Sequence, residues 1–538
     1  MFKNRNGSNS SCTKNLLLHW HDFRLKLLFE GILTGAFAGG VVVCFRLALA
    51  WVGPQRDKLF AFLSSSGFAW TAVWFVCLLG IGSILAWLIK KAPMSTGSGI
   101  PQVKGILAGL LPAPNWLKII GAKFFGGILG IGAGLSLGRE GPSVQLGAAA
   151  GQGVSRILKR PGIEEKYLLS CGASAGLAAA FNAPLAGVVF ALEELHKNFS
   201  PVVLACTVAA SVTATLISRI FCGRVVVFAF QKLPVLPFQY YLYVLVLGVV
   251  VGISGILFNS GLIKSQEFYG KLHWMPERLK QALPLLCAGF LGFFLPQVLG
   301  GGARLINSLS QMHYAVVILL VIFAVKFVFT LLSYGTGVPG GIFMPLLTIG
   351  AVLGNVYGAI LARYLHIDPM YISNFIVLAM AAHFAAIVRA PITASILIVE
   401  MTGSMEQLLP VIMVSMAAFV ASDLLGEGKP IYDLLLNRML HKAKGTPLAA
   451  HHGYAEEKHI IEKVVGLEAP VCDSMVCQVK WPENSLLVGI RRGDVELIPA
   501  SHTVICQGDY LIVMSAAEKL SHVLSHLQIL TGEELVEA

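Results

Sequence analysis

Charge is what this chain has least of. Only 13% of its 538 residues are Asp, Glu, Lys or Arg, about half the share usual in soluble domains. Charge-free stretches run from Leu59 to Ile89, Leu233 to Ile263, Gln281 to Ala303 and Phe327 to Ala362. One helical span of a bilayer takes about 20 apolar residues, so the longest of these hold more than one helix. The stretches do not alternate apolar with polar, which excludes an outer-membrane barrel. An all-α polytopic membrane protein remains, in keeping with 56% hydrophobic residues and a mean hydropathy of +0.73.

Other absences narrow the function. The N-terminus, MFKNRNGSNSSCTKN, lacks the short apolar core and cleavage site of a removable signal peptide. Lys3, Arg5, Lys14, Arg24 and Lys26 precede the first apolar segment and are expected to keep that end cytoplasmic. Ten cysteines are scattered; Cys472 and Cys477 are close, but no second pair or nearby histidine completes a zinc set. All ten read as reduced structural thiols, and neither a metal nor a cofactor is expected. There is no HExxH, no GxSxG with its partners and no intramembrane aspartate pair, so an enzyme is not expected. No basic stripe interleaved with aromatics appears, which argues against nucleic acid. From His441 onward eight Lys and Arg face thirteen Asp and Glu, a balance of −5, which leaves +16 on residues 1–440 within the overall +11. That excess fits orienting cytoplasmic loops, and it also suits an anionic substrate.

The membrane part contains an internal repeat. GAGLSLGREGPSVQLGAAAG (132–151) lies over GTGVPGGIFMPLLTIGAVLG (335–354), with Gly132, Gly134, Gly138, Pro142, Gly147 and Gly151 all matched at an offset of 203. NAPLAGVVFALEE (182–194) then matches RAPITASILIVEM (389–401) at an offset of 207. Duplicated halves in transporters commonly lie inverted, with broken helices meeting near the midplane. A proline just inside a helix start removes only an N–H that would be unsatisfied anyway. Irregular backbone survives at membrane depth only where it lines a protein cavity. SLGREGPS and VPGGIFMP therefore read as two helix N-termini meeting at one polar cavity, which makes an anion site. Packing through small residues accounts for the flanking glycines, but not for the carboxylate of Glu140 at the turn. STGSGIPQVKG (95–105) supplies a third Gly/Pro start that presents a serine hydroxyl.

These three starts, GSGIP (97–101), GREGP (138–142) and GIFMP (341–345), resemble in order and separation the CLC family of chloride channels and chloride/proton antiporters. GLAAAFNAPLAGVVFALEE (176–194) and GKPIYDLLL (428–436) strengthen the resemblance, which spans roughly residues 28–440. It implies a homodimer of subunits with about eighteen helices each in two inverted repeats, 29–236 and 237–440, behind an N-terminal segment 1–28. The selectivity motifs would comprise Gly97, Gly99, Pro101, Gly138, Arg139, Gly141, Pro142, Gly341 and Pro345. By the same resemblance, Ser98 and Tyr432 would offer hydroxyls to a central anion, and Ile342 and Phe343 their backbone N–H groups. Glu140 would mimic the anion and gate the pathway, and a salt bridge with the adjacent Arg139 is not expected to hold it. Intramembrane acids are functional candidates by default.

Glu193 falls on Glu400 in the repeat and is expected to cap or pair within the scaffold. Glu194 falls on Met401 instead. In the family the matching position carries protons from the inside in antiporters, whereas channels hold a residue there that cannot ionise. The resemblance thus implies a chloride/proton antiporter, with a chloride channel as the rival and a solvated helix-end acid as the plain alternative for Glu194. GSGIP argues against a fluoride exporter, and the lack of carbonyl-lined filter loops against a potassium transporter. Substrate ions would be halides and H+, and the setting the cell inner membrane with both termini cytoplasmic. Residues 441–458 read as a linker, and His451 and His452 as linker residues. Residues 459–538 read as a small β-rich α/β cytoplasmic domain. From Val464 to about Ser521, with IRRGD, IPA and GDYLIVM, it resembles RCK-C domains, which can dimerise or bind a small ligand.

Overall fold

A computed structural model describes residues 7–160, 162–197, 200–223, 227–228, 230, 233–312, 314–426, 428–444, 458–466, 469–483, 485–492, 495–516 and 520–532. Two compact units divide between His441 and Lys442. Among the described residues, the first unit holds seventeen α-helices, beside about eighteen expected. They are α1 (Gly7–Ser65), α2 (Phe68–Lys91), α3 (Ile100–Leu107), α4 (Trp116–Gly132), α5 (Glu140–Ile157), α6 (Gly162–Phe181), α7 (Pro184–Phe190) and α8 (Pro201–Cys222). There follow α9 (Tyr241–Lys271), α10 (Glu277–Phe294), α11 (Ala303–Leu309), α12 (Val316–Gly335), α13 (Phe343–Tyr364), α14 (Ile372–Val388), α15 (Pro391–Thr402), α16 (Leu408–Leu425) and α17 (Ile431–Lys444). A π-helical turn, Ala191–His196, continues α7.

Eight helices among the described residues are long and apolar enough to cross a bilayer. Helix α1 begins at Gly7, inside the stretch read as a polar N-terminal segment. Of the expected linker, 445–457 lies outside the described residues, and so do His451 and His452. The described cysteine side chains are all unbridged.

The repeat governs the packing. Helices α4 and α12 end on glycines 203 residues apart, and α7 and α15 begin on prolines 207 apart. Gly147 and Gly151 of α5 lie against the α6 backbone at Gly172 and Leu168, and a methyl group at either would collide with it. Gly350 and Gly354 of α13 meet α14 in the same way at Ala379 and Phe375. Small residues let helix backbones approach this closely where lipid supplies no hydrophobic drive. At the centre Gly138 and Gly341 exchange both backbone hydrogen bonds, 2.6 and 2.7 Å, as an antiparallel pair. Reciprocal bonding between matched residues is the signature of an internal two-fold axis.

The second unit, Lys442–Ala538, carries an antiparallel sheet of β1 (Lys458–Val464), β2 (Ser485–Arg492), β3 (Val495–Leu497) and β4 (Tyr510–Ala516), in the order β1-β4-β2-β3. Helix α18 (Leu520–Thr531) covers it. Ile461, Val471, Ile490, Leu511, Val513 and Leu527 form its core. Arg492 makes a two-pronged pair with the buried Asp509 (2.8 and 2.7 Å), joining the IRRGD stretch to GDYLIVM.

Candidate functional site

Ser98 lies between Gly97 (φ +59°) and Gly99 (φ +92°), both in the left-handed region that favours glycine. This turn feeds straight into α3, whose first turn contains Pro101. The carbonyls of the loop are tied down one by one. Gln145 Nε2 donates to Met94 (2.6 Å), Gln102 Nε2 to Thr96 (2.7 Å), and Lys123 Nζ to Ser95 (3.0 Å) and Gly97 (2.7 Å). Gly97 is also bonded to the second repeat, donating to Gly337 and accepting from Gly340. The buried Ser98 hydroxyl, by contrast, has no hydrogen-bond partner among the described residues. Tyr432, in the first turn of α17, likewise brings a buried hydroxyl with no such partner. That hydroxyl faces Ser98, with Tyr334, Glu194 and Glu140 in electrostatic reach. Leaving a buried hydroxyl unmet costs about 1–3 kcal/mol, so the pair is poised for a ligand with acceptor character.

The Gly138–Gly341 exchange sets the starts of α5 and α13 side by side. Glu140 is the first residue of α5, Ile342 caps α13 and Phe343 is its first residue; all three are buried. N–H groups in a first turn have no intrahelical acceptor. The Phe343 ring is wedged between Phe181 (5.1 Å) and Phe384 (4.4 Å). The Glu140 carboxylate folds back against Gly138, near its own backbone N–H and that of Met344 but outside hydrogen-bond geometry with either. Neither oxygen meets a hydrogen-bond partner among the described residues. Arg139 Nε stands 3.7 Å from Oε1. That contact corrects the expectation that adjacent residues would not pair. It is nevertheless longer than a hydrogen bond, and Arg139 also reaches the Ala180 carbonyl at 3.4 Å.

Glu140 lines a cavity of about 840 Å³ together with Arg56, Arg139, Arg304 and Met344. Ser98 and Tyr432 do not line it. The carboxylate therefore borders a cavity that carries Arg56 and Arg304 paired with Asp57 beside Arg139, while the two hydroxyls lie outside it. This arrangement can hold one monovalent anion by dipoles and hydroxyls, with a carboxylate competing for the same place.

Glu194 sits in the π-helical turn and is 2% exposed, which removes the solvated-acid alternative. Its partner is Lys104, at 2.7 Å. Glu193 accepts from Ile392 N (3.1 Å), Thr393 N (2.6 Å) and Thr393 Oγ1 (2.6 Å) at the start of α15. Glu400 accepts from Leu185 N (3.2 Å) and Ala186 N (2.8 Å) at the start of α7. The two matched glutamates thus cap one another's repeat.

Three contributors were missed by the reading of the sequence. Tyr334 Oη accepts from Ser98 N at 3.4 Å across 236 positions, and no local pattern announces it. Lys104 stood in the quoted STGSGIPQVKG without a role. Lys123 has a twin, since Lys326 donates to the carbonyls of Val298 (2.8 Å) and Gly300 (2.6 Å). Both lysines and both pairs of acceptors are 203 residues apart, so the repeat offset could have found them.

Comparison with known proteins agrees with this geometry. Residues 81–423 match the family model described as voltage gated chloride channel. The chain is 35% identical over 432 residues to the H(+)/Cl(-) exchange transporter ClcA of Vibrio cholerae serotype O1 (strain M66-2), covering 78% of this chain and 90% of that protein. It is 35% identical over 431 residues to the protein of the same name from Salmonella schwarzengrund, covering 78% and 89%. The crystal structure of a slow cyanobacterial Cl-/H+ antiporter superposes with a TM-score of 0.74 at 30% identity, over 78% of this chain and 99% of that one. From the match along the membrane unit and the helix starts that build its centre, this chain is a member of the voltage-gated chloride channel (CLC) family.

Proposed function

We propose that the protein is a secondary active transporter that exchanges chloride for protons across a membrane it crosses many times. The observation that carries this reading is Glu140: a buried carboxylate without a hydrogen-bond partner among the described residues, at the joint start of two helices. Ionised, it occupies the place an anion would take. Protonated, it leaves that place to chloride, held by Ser98, Tyr432 and the N–H groups of Ile342 and Phe343. Fixed dipoles and hydroxyls, with Arg139 held 3.7 Å from the carboxylate and beyond hydrogen-bond distance, bind an ion firmly enough to enter and loosely enough to leave.

A second buried acid, Glu194, favours exchange over a passive channel. It gives protons an inner station away from the anion path, and an ionisable group at such depth is costly to keep without use. The relatives named as H(+)/Cl(-) exchange transporters support the same reading. The protein would act as a homodimer in the cell inner membrane, with both termini cytoplasmic and halides and H+ as its substrates. The C-terminal unit would serve as an RCK-C-like dimer clamp or ligand sensor. Reconstitution in liposomes, with chloride efflux and proton movement recorded together, tests the proposal. Uphill proton uptake driven by outward chloride flow is expected, and chloride flow with no coupled protons would make the protein a channel.

A further inference from the structure

Glu194 stands at one end of a line of charges. Lys104 Nζ lies 2.7 Å from Glu194 Oε1 and 2.5 Å from Asp433 Oδ1, and Lys197 Nζ lies 2.5 Å from Asp433 Oδ2. The signs alternate along it, and side-chain exposure climbs from 2% at Glu194 through 9% at Lys104 and 25% at Asp433 to 52% at Lys197. The line starts at a buried acid and ends at a half-exposed lysine.

Three features tie this line to the exchange site. Asp433 follows Tyr432 in α17, so it moves with one of the two hydroxyls. Lys104 belongs to α3, the two-turn helix whose start presents the other, on Ser98. Glu194 occupies a π-helical turn, a local departure that recurs at functional sites. The scaffold does not require the lysine, because the matched position in the second repeat is Asn307.

We propose that Lys104 is a positioning residue for proton transfer, a latch shared by two carboxylates that sets when Glu194 takes up a proton. The proposal rests on the reading of Glu194 as the inner proton acceptor. Held on Glu194, the ammonium keeps that carboxylate ionised and turned toward α17. Drawn wholly onto Asp433, it leaves Glu194 buried without a counter-charge, and there the neutral acid is the favoured form. A hydronium ion from the solvent end of the line then gives up its proton. One O–H bond of the hydronium breaks, one O–H bond forms at Glu194 Oε1, and neutral water is left behind. The ammonium, already on Asp433, keeps its own protons. Release of the proton toward Glu140 restores the charge and draws Lys104 back.

The test reconstitutes the full chain and measures protons moved per chloride for wild type, K104M, K104R, D433N and E194Q. The ratio is expected to fall about tenfold or more in K104M, which strands a buried carboxylate, and to return in K104R. In D433N Lys104 stays on Glu194, and the ratio is expected to fall as well. A merely structural lysine would slow both fluxes together and leave the ratio at the wild-type value. That value in K104M overturns the latch, as does a fall that K104R fails to restore; should K104M not fold, a wild-type ratio in D433N overturns it. E194Q separates the two ideas. If E194Q keeps full coupling, the reading of Glu194 fails and the latch with it; if only E194Q uncouples, the latch alone is wrong.

Discussion

Replacing Glu140 with Gln tests whether one carboxylate both blocks the anion and carries the proton. The amide keeps the size and removes the charge. Each helix start favours a nearby anion by about 0.3–2 kcal/mol, and Glu140 sits where the starts of α5 and α13 meet. The charged gate is therefore held over a neutral one by about 0.6–4 kcal/mol, roughly a 3- to 900-fold handicap to chloride that the variant lifts. Calorimetric titration should show tighter chloride binding by a factor in that range. In liposomes, wild-type chloride efflux should rise as pH falls, because protonation neutralises the same carboxylate. Efflux through the variant should be flat with pH, and coupled proton uptake should be absent. A variant that still drives protons uphill against chloride, or whose efflux keeps the wild-type pH profile, would refute the assignment.

Three further outcomes are expected. Ser98→Ala and Tyr432→Phe should each weaken chloride binding in calorimetry by about 0.5–1.5 kcal/mol, the net worth of one hydrogen bond; unchanged affinity in both would count against the hydroxyl pair. Glu194→Gln should abolish coupled proton movement while chloride still crosses, because Ser98, Tyr432 and the helix starts remain; protons still pumped would exclude Glu194 as the inner station. In the C-terminal unit, burial opposes the Asp509 charge, but the Arg492 guanidinium and the Cys506 N–H outweigh it and hold the carboxyl below its usual value. The resulting stability is complete above the usual aspartate value of about 3.9 and disappears as pH falls through the lower folded value. Amide protection factors of residues 458–532 in the full chain, corrected for the intrinsic pH dependence of exchange, should hold from neutral pH to about 4 and fall below, with protection at neutral pH already reduced in Arg492→Gln.

What could be read from the sequence was whatever backbone geometry forces into residue type. Helices start at Ile100, Glu140 and Phe343 within the three Gly/Pro clusters, because positive φ at Gly97 and Gly99 and close approach at Gly138, Gly141 and Gly341 call for glycine, and a helix start then tolerates proline. The 203-residue offset is legible for the same reason, since close helix approach at Gly147 and Gly350 admits no side chain. Partners joined only by the fold stayed hidden. Lys104 meets Glu194 across 90 positions, and Tyr334 meets Ser98 across 236. A lone lysine in an apolar stretch reads as an anomaly until its carboxylates are in view. The start of α1 was missed for the opposite reason, because a polar segment without apolar period gives no sign of continuing a helix.

Matched and unmatched positions divide the labour of the two repeats. Gly138 and Gly341 join the halves, Lys123 and Lys326 hold the loops, and Glu193 and Glu400 cap across the axis. Each does for one half what its twin does for the other. The exchange residues break the symmetry: Ser98 matches Gly301, Lys104 matches Asn307, Glu140 matches Phe343 and Glu194 matches Met401. This division makes a prediction for two neighbouring acids. Glu193→Ala removes three hydrogen bonds from the start of α15, and Glu400→Ala removes two from the start of α7. A lost cap costs about 0.5–2 kcal/mol, so both variants should unfold earlier in detergent, Glu193→Ala the more so. Both should keep the wild-type number of protons per chloride, since neither group touches the anion site or the Lys104 line. Glu194→Gln, one residue along from Glu193, should do the reverse, losing the protons at little cost in thermal stability. If Glu193→Ala changed the ratio as Glu194→Gln does, duplication would not separate scaffold from machinery.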